Sequence, residues 1–301
     1  MYPEKLTAHK QTQYFHCEFF KNNLDLTKTF IEEDYQTGMH EQEFFEINIV
    51  TKGKGMHYIQ NSRTPASVGD VFIIPPHVNH GYYGGKGFDV CHVLISDDFI
   101  NKYIADLQQL PCFFDLFSAE PLMRAITKNS LHLHLNTEQF DSVYKTISNL
   151  LDCQDDDNPY ECLTRTSQTI IFITLLCKIY STNSSSIHLT SADESFMKSI
   201  SYIHEHYNKK ITIDDLVKIA QLSRSAYIKK FKSICKMTPT SYLGKRRIEA
   251  AENLLKNTQL SITEIAYRTG FYDSAHFTKS FETEKKDTPL AYRKKYSKKT
   301  Y

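Results

Sequence analysis

The chain has 301 residues, 41% hydrophobic and 24% charged, a balance that fits a globular protein and exceeds what one ordinary core holds, so two domains are expected. No run of about 18 apolar residues is present, and Met1-Tyr2-Pro3-Glu4-Lys5 lacks the layout of a secretory leader; both point to a cytoplasmic protein with no membrane partner. Seven scattered cysteines without a CxxC pair argue for reduced thiols and against a disulfide framework or a zinc finger. The net charge of +1 hides an asymmetry: residues 191–301 carry 22 Lys+Arg against 12 Asp+Glu, which leaves 14 against 23 for residues 1–190. A basic half beside an acidic half is the pattern expected when only the basic half meets a polyanion.

Up to about residue 100 the sequence reads as strands. Phe44–Val50, Gly55–Gln60, Val71–Ile74 and Asp89–Ile95 are apolar or alternating runs separated by Gly, Pro and Asn turns. Residues 136–180 are helical in pattern, with Asn136 as a cap, Asn158-Pro159 as a stop and restart, and an apolar stripe along Tyr160–Tyr180. Such a stripe needs cover, either from a second copy, making 136–180 a dimerisation pair, or from the barrel wall. The run Ser181-Thr182-Asn183-Ser184-Ser185-Ser186 has a linker's composition, so a linker is expected over 181–194. Beyond it, 195–301 is helical with short polar breaks.

That last region repeats itself with a period near 50 residues. Thr212-Ile213-Asp214-Asp215-Leu216 matches Ser261-Ile262-Thr263-Glu264-Ile265; Phe231 matches Phe281, Thr238-Pro239 matches Thr288-Pro289, and Tyr242 matches Tyr292. Thr212 with Asp215, and Ser261 with Glu264, have capping-box spacing. A short turn follows, Gln221-Leu222-Ser223 or Gly270-Phe271-Tyr272-Asp273, whose last residue can cap the next helix. That helix, about 224–234 or 274–284, keeps Tyr227 and Phe231, or Phe277 and Phe281, for a core. Its other face is small and basic, with Ser225, Lys229 and Lys232 in one copy and Ser274, Thr278 and Lys279 in the other. Two helices joined by a tight turn, the second with such a face, describe a helix-turn-helix. Small residues let the backbone enter the major groove, and lysines reach base edges or phosphates.

The stretch Ser261–Phe271, then Phe277-Thr278-Lys279-Ser280-Phe281, then Thr288-Pro289-Leu290-Ala291-Tyr292-Arg293 resembles the AraC/XylS-type transcription regulators, over roughly 195–296. The resemblance implies a seven-helix domain with both recognition helices on one face, entering successive major grooves about 34 Å apart. It places DNA-contacting positions on Ser225, Ile228 and Lys229, and on Ser274, Ala275, His276, Thr278 and Lys279; Lys232 joins them from the basic face. Two departures stand out. Lys236 and Lys286 occupy positions where the family usually has Gly, and Ile228 replaces a commonly polar reader, so the first copy reads methyl groups and shape more than hydrogen-bonding edges.

In the acidic half, His40-Glu41-Gln42-Glu43-Phe44-Phe45-Glu46 would, if extended, put His40, Gln42, Phe44 and Glu46 on one face. With Gly69–Pro76 and His77-Val78-Asn79-His80 it resembles the two motifs of a cupin, a small jelly-roll barrel with a pocket in its mouth. Gln42 stands where the motif has a metal-binding His, His77 where it has Gly, and Gly84 where it has Asn. His40, Glu46 and His80 remain as the possible metal set, suited to iron or manganese. A carboxamide is a poor transition-metal ligand and a good partner for hydroxyls, so the expectation is a pocket without a metal cofactor. The resemblance implies a small polar effector such as a sugar, met by His40, Gln42, Phe44, Glu46, Tyr58, His80 and Tyr82.

The fold expected is therefore α+β in two domains: a cupin-like barrel over 1–135 with the helical pair 136–180, and an all-α double helix-turn-helix over 195–301. The function expected is a bacterial, effector-responsive regulator that binds promoter DNA, with no enzymatic activity, a homodimer, and RNA polymerase a further candidate partner. A metal-dependent cupin enzyme fused to a DNA-binding domain and a nonspecific architectural DNA-binding protein are the rival readings. Gly84-Gly85-Lys86-Gly87 lacks the spacing of a phosphate loop, and Asp155-Asp156-Asp157 reads as a solvated loop rather than a calcium site. His132 and His134 read as ordinary histidines rather than a metal pair, and His204 and His206 do not face each other on a helix. No nucleophile-base-acid set is present in the pattern.

Overall fold

The computed structural model describes residues 13–15, 27–60, 62–124, 132–153, 155–183, 191–235 and 237–296. The chain divides into two compact units, Met1–Leu189 and Thr190–Tyr301.

The first unit is built on ten described strands: β1 (Gln13–Phe15), β2 (Thr27–Glu32), β3 (Thr37–Gln42), β4 (Phe45–Lys52), β5 (Lys54–Ile59), β6 (Ser62–Ser67), β7 (Asp70–Ile74), β8 (His80–Tyr83), β9 (Asp89–Ile95) and β10 (Leu133–His134). They form two five-stranded sheets, ordered β1-β3-β8-β5-β6 and β10-β7-β4-β9-β2, antiparallel except for the β1–β3 pair. This is the expected cupin-like barrel. Pro65 sits in β6, an edge strand, where a missing N–H costs least.

The second sheet is covered on both sides, which is why its strands read as apolar runs rather than alternations. Ile47, Ile49, Val71, Ile73, Cys91, Val93 and Ile95 pack with the helices in one core, whereas the intervening Val50, Phe72 and Val90 join Tyr35, Tyr82 and Phe88 in the barrel interior. The interior face also carries Glu46, Asn48 and His92, all buried. Polar residues at alternate positions of an otherwise apolar strand thus mark the inside of the barrel.

The helices of this unit are α1 (Asp97–Leu107), a π-turn at Asp115–Ala119 that runs into α2 (Glu120–Arg124), α3 (Thr137–Leu151) and α4 (Pro159–Asn183). The segment 97–124 carried no helical expectation from sequence. Asn136 caps α3 through the Gln139 N–H at 2.9 Å, with the reciprocal bond completing a capping box. The apolar stripe of α4 is covered within its own unit, because Phe172, Ile173, Leu176 and Cys177 belong to the same core as the strands. That packing accounts for the one helix among the described residues long and apolar enough to resemble a membrane span, with mean hydropathy 1.2 over its best window. Asp156 is not a simple solvated loop residue; its carboxylate takes Arg165 at 2.8 Å and also Lys28.

The expected linker is shorter than its composition indicated. α4 continues through Ser181–Asn183, whose last side chain donates to the His134 carbonyl at 3.3 Å, and α5 (Ser191–His206) begins inside the expected linker. Residues 184–190 lie outside the described set.

The second unit has seven described helices: α5, then α6 (Ile213–Ala220), α7 (Arg224–Cys235), α8 (Pro239–Asn257), α9 (Ile262–Arg268), α10 (Ser274–Lys285) and α11 (Pro289–Tyr296). Both capping boxes form, Thr212 with Asp215 and Ser261 with Glu264. The repeat extends to the cores. Phe231 lies 5.6 Å from Tyr227 and 5.4 Å from Tyr242 between ring centroids; the equivalent Phe281 lies 5.7 Å from Phe277 and 5.3 Å from Tyr292. The turns differ. Gly270 has φ +83° and a Cβ there would strike the Tyr207 carbonyl at 2.7 Å, while Gln221 holds the equivalent left-handed position at φ 54° in the first copy. Lys286 takes the left-handed C-cap expected of it, at φ 61°, a strain of roughly 1 kcal/mol for a side chain with a Cβ; Lys236 lies outside the described residues.

Glu252 on α8 ties the second copy together, accepting from Tyr292 Oη at 2.5 Å and pairing with Lys256 at 2.9 Å and with Lys285. Burial alone would raise its carboxyl, but the bonds from Lys285, Tyr292 and Lys256 outweigh this and hold it at about 2, against 4.5 normally. A depressed carboxylate contributes stability above its unfolded pKa and loses it as pH falls. The second unit should therefore lose stability, on the order of 2–3 kcal/mol, between about pH 4.5 and pH 2. Glu252→Gln should remove that stretch of the acid melting curve measured by circular dichroism. An unchanged acid limb in the variant would show that Glu252 contributes nothing.

Candidate functional site

The recognition helices are presented by their caps. Ser223 Oγ accepts from the Ala226 N–H at 3.3 Å and Asp273 from the His276 N–H at 2.7 Å, which fixes where α7 and α10 begin. Burying Tyr227 and Phe231, or Phe277 and Phe281, turns the opposite face outward. Ser225, Lys229 and Lys232 are exposed on α7, and Ala275, His276 and Lys279 on α10; Ile228, Ser274 and Thr278 are half-buried at the margins. Every residue expected to meet DNA is thus accessible. Not every lysine is. Lys230 turns away to Asp193 at 2.7 Å and over the Phe196 ring, and Lys285 is taken by Glu252.

The barrel holds a second site, a cavity of about 260 Å³. Its lining includes His40, Gln42, Phe44 and Glu46, four of the seven residues expected there, although they do not lie on one strand: β3 ends at Gln42 and β4 starts at Phe45. Tyr58, His80 and Tyr82 do not line it. Tyr82 is wholly buried one layer back, its hydroxyl accepting from Asn48 at 3.1 Å, and Tyr58 sits on β5 opposite Gly81. Phe30, Glu32, Tyr35, Gln36, Thr37, His92 and Leu94 complete the wall and were not anticipated. His92 had a signal, being the one polar residue inside the apolar run Val90–Ile95. The rest of the wall comes from β2, the turn after it, Thr37 at the start of β3 and Leu94 of β9, where the sequence has no motif.

Glu46 is the electrostatic centre. One carboxylate oxygen accepts from His92 Nδ1 at 2.9 Å; the other lies 3.2 Å from His80 Nε2, close but not aligned for a hydrogen bond. Burial would raise this carboxyl, yet the contacts with His80 and His92 hold it well below the usual range, so it is charged. His40, whose ring lies 4.2 Å from that of His80 and tilted to it, is pushed down to about 4 by burial and by the neighbouring His80, and is neutral near pH 7. Its Nδ1 donates to the Gly38 carbonyl at 2.9 Å, and His80 Nδ1 to the Val78 carbonyl at 3.0 Å. Ligand atoms of His40, Glu46 and His80 all lie within 4.8 Å of one another, a set able to hold a metal ion. Gln42 is the least satisfied residue of the wall. Its side chain is 1% exposed, and among the described residues neither its oxygen nor its nitrogen has a partner. The loop that carries His77, left-handed at φ 60° where the motif has Gly, holds Gln42 in place through a 2.8 Å bond from the His77 N–H to the Gln42 main-chain carbonyl.

His132 and His134 both meet Asp70, at 3.0 and 2.6 Å, and anchor β10 to β7. They are structural.

A barrel enclosing a polar cavity, followed by paired helix-turn-helix units, defines a DNA-binding transcriptional regulator with a ligand-binding domain. Two family models match the chain, an AraC-like ligand binding domain over residues 26–145 and a helix-turn-helix domain over 216–295. The chain belongs to the AraC/XylS-type regulators. It is similar to an uncharacterized HTH-type transcriptional regulator, YdeC, of Bacillus subtilis, 37% identical over 95 residues that cover 32% of this chain and 33% of that one. It is also similar to the HTH-type transcriptional activator RhaS of Escherichia coli, 25% identical over 246 residues that cover 81% of this chain and 83% of that one. Among solved structures it resembles the DNA-binding domain of AdpA in complex with a target DNA, at 25% identity, TM-score 0.33, covering 34% of this chain and 92% of that one.

Each lysine that neutralises a phosphate contributes about 0.9 to the slope of log affinity against log salt. Lys229→Ala and Lys279→Ala should each lower that slope by up to about 1 on a duplex selected by the full chain, whereas Lys230→Ala, bound to Asp193, should leave it unaltered. Equal slopes for all three variants would remove the assignment of the two faces to DNA.

Proposed function

We propose that the barrel senses a small, neutral, hydroxyl-rich metabolite, most simply a monosaccharide, and that its binding adjusts how the helix-turn-helix pair engages promoter DNA. The observation that carries this reading is the Gln42 amide. A buried amide with both polar atoms unpaired costs roughly 1–3 kcal/mol for each lost bond, a debt that a ligand offering an adjacent donor and acceptor would cancel. A vicinal diol has that pattern. The cavity, about 260 Å³, is near the lower end of the roughly 300–1,000 Å³ common for ligand sites, which suits a single sugar ring. Phe30, Tyr35 and Phe44 supply apolar faces for it. Glu32 and Glu46 line the wall and, among the described residues, neither Lys nor Arg does, so carboxylates and phosphates are disfavoured.

In this reading the protein is a sensor rather than an enzyme. Glu46 is already held by two histidines, and no side chain in the wall is set up as a nucleophile beside a base. Like RhaS by its name, the protein would act as an activator, from the bacterial cytoplasm. A homodimer remains part of the proposal, resting now on the exposed Tyr160 and Leu163 of α4 rather than on its apolar stripe, which the barrel covers.

A second reading is favoured by one observation. Nδ1 of both His40 and His80 is tied to a main-chain carbonyl, which is how a metal-binding histidine is commonly oriented. An iron or manganese ion held by His40, Glu46 and His80 would then supply a Lewis-acidic anchor for hydroxyls, and a cupin enzyme joined to a DNA-binding domain would become the alternative.

A thermal-shift series on the full chain separates these. A neutral monosaccharide at 100 times its Kd should add about 2.7 kcal/mol of stability, the corresponding sugar acid none, and Gln42→Leu should abolish the response without lowering the melting point of the ligand-free protein. Stabilisation by sugar acids, or sugar binding undisturbed in Gln42→Leu, would defeat the proposal. Stoichiometric iron or manganese in the purified protein, lost in His80→Ala, would establish the second reading.

A further inference from the structure

α7 and α10 are each 12 residues long and superpose in sequence at an offset of 50, so their exposed faces can be compared position by position. Ser225, Lys229 and Lys232 share one face of α7 at spacings of four and three; Ala275, Lys279 and Glu282 share the equivalent face of α10. The first lysine of each helix is preserved, but where α7 has Lys232, α10 has Glu282. Both side chains are exposed, and among the described residues no ion pair engages either of them. The lysines at the end of α10, Lys285 and the C-cap Lys286, do not compensate. Lys285 is bound to Glu252, and Lys286 donates to the Thr283 carbonyl at 2.8 Å. The imbalance extends to the whole repeat: 212–236 has six basic against two acidic residues, and 261–286 has four against four.

We propose that Glu282 is a specificity-determining residue that makes the second helix-turn-helix the weaker and more selective of the two grips on DNA. It is the ninth residue of its helix, about 12 Å from the first. The first residues of a recognition helix reach base edges, and a side chain this far along approaches the wall of the groove and its phosphates. Lys232 gains there from any duplex. Glu282 is repelled by any duplex, and recovers the loss only where it can accept a hydrogen bond from a cytosine amino group at the groove edge. The first copy therefore draws more of its hold from contacts that any duplex offers, and the second engages fully only on a matching site. This inference rests on the DNA-binding assignment alone and is independent of what the barrel binds.

The test uses the full chain, one duplex selected by it from a random-sequence pool, and one unselected duplex of equal length, each titrated from 50 to 200 mM salt. Glu282→Lys should bind the unselected duplex more tightly, on the order of tenfold at the low-salt end, with a salt slope steeper by about 1. The preference for the selected duplex should fall several-fold. Glu282→Gln should shift both quantities in the same direction by less, and Lys232→Glu should weaken binding to both duplexes. Since the side chain is exposed and unpaired, helix content and melting should not change, and Glu282→Gln carries the test if the lysine variant does not fold. An unselected-duplex affinity that Glu282→Lys and Glu282→Gln both leave unchanged, or a preference for the selected duplex that survives intact in both, would overturn the proposal.

Discussion

A sheet covered on both faces leaves a charged side chain little access to water, and much of the first unit is arranged around that fact. Glu46 lies in the middle of such a sheet, with Ile47 and Ile49 facing the helices and Glu46 and Asn48 facing inward. An unpaired carboxylate there would be prohibitive. His92, across on β9, and His80, from the other sheet, meet its two oxygens, and the second ring nitrogen of His80 is held by the Val78 carbonyl. One acid thereby links the two sheets across the interior and leaves the wall of the cavity with a fixed electrostatic character. His57 shows the opposite solution. It is fully buried between Phe72 and Tyr82, both ring nitrogens lack partners, and burial with the nearby Arg124 charge drives its pKa well below normal, so it is held neutral.

The second unit depends on a different economy, in which each helix-turn-helix reuses one aromatic trio. Tyr227, Phe231 and Tyr242, and then Phe277, Phe281 and Tyr292, repeat within a few tenths of an ångström in ring spacing. Because these rings fix which side of the recognition helix faces inward, the outward side can diverge freely. Lys232 and Glu282 are the clearest instance of that freedom.

The second unit was legible in the sequence almost completely, because its signals are local. Capping boxes, Thr-Pro helix starts and a 50-residue period are short-range patterns, and the predicted reading face is exposed as expected. The barrel was legible in part. Its inner strands carry long apolar runs, yet β2, β3, β6 and β8 are polar or Gly- and Pro-interrupted, and only pairing across the sheet makes them strands. The same reason explains the cavity. His40, Gln42, Phe44 and Glu46 are close in sequence and were found together; Phe30 and His92 join them only because β2 pairs with β9, which places Phe30 opposite His92. Tyr82 and Tyr58 were misplaced because an aromatic on a short strand gives no indication of which layer it fills. The serine-rich stretch after Tyr180 has a linker's composition, but packing of α4 and the anchoring of Asn183 extend the helix through its first three residues.

α8 serves both halves of the second unit, giving Tyr242 to one core and Ile248, Ala251 and Leu255 to the other. Its 19 residues make a rod of roughly 28 Å that neither half can bend without exposing its own interior. A promoter is thus measured by a ruler of fixed length. Insertion of even a few base pairs between the two recognised segments would rotate one of them around the duplex, and no adjustment within the protein could follow it.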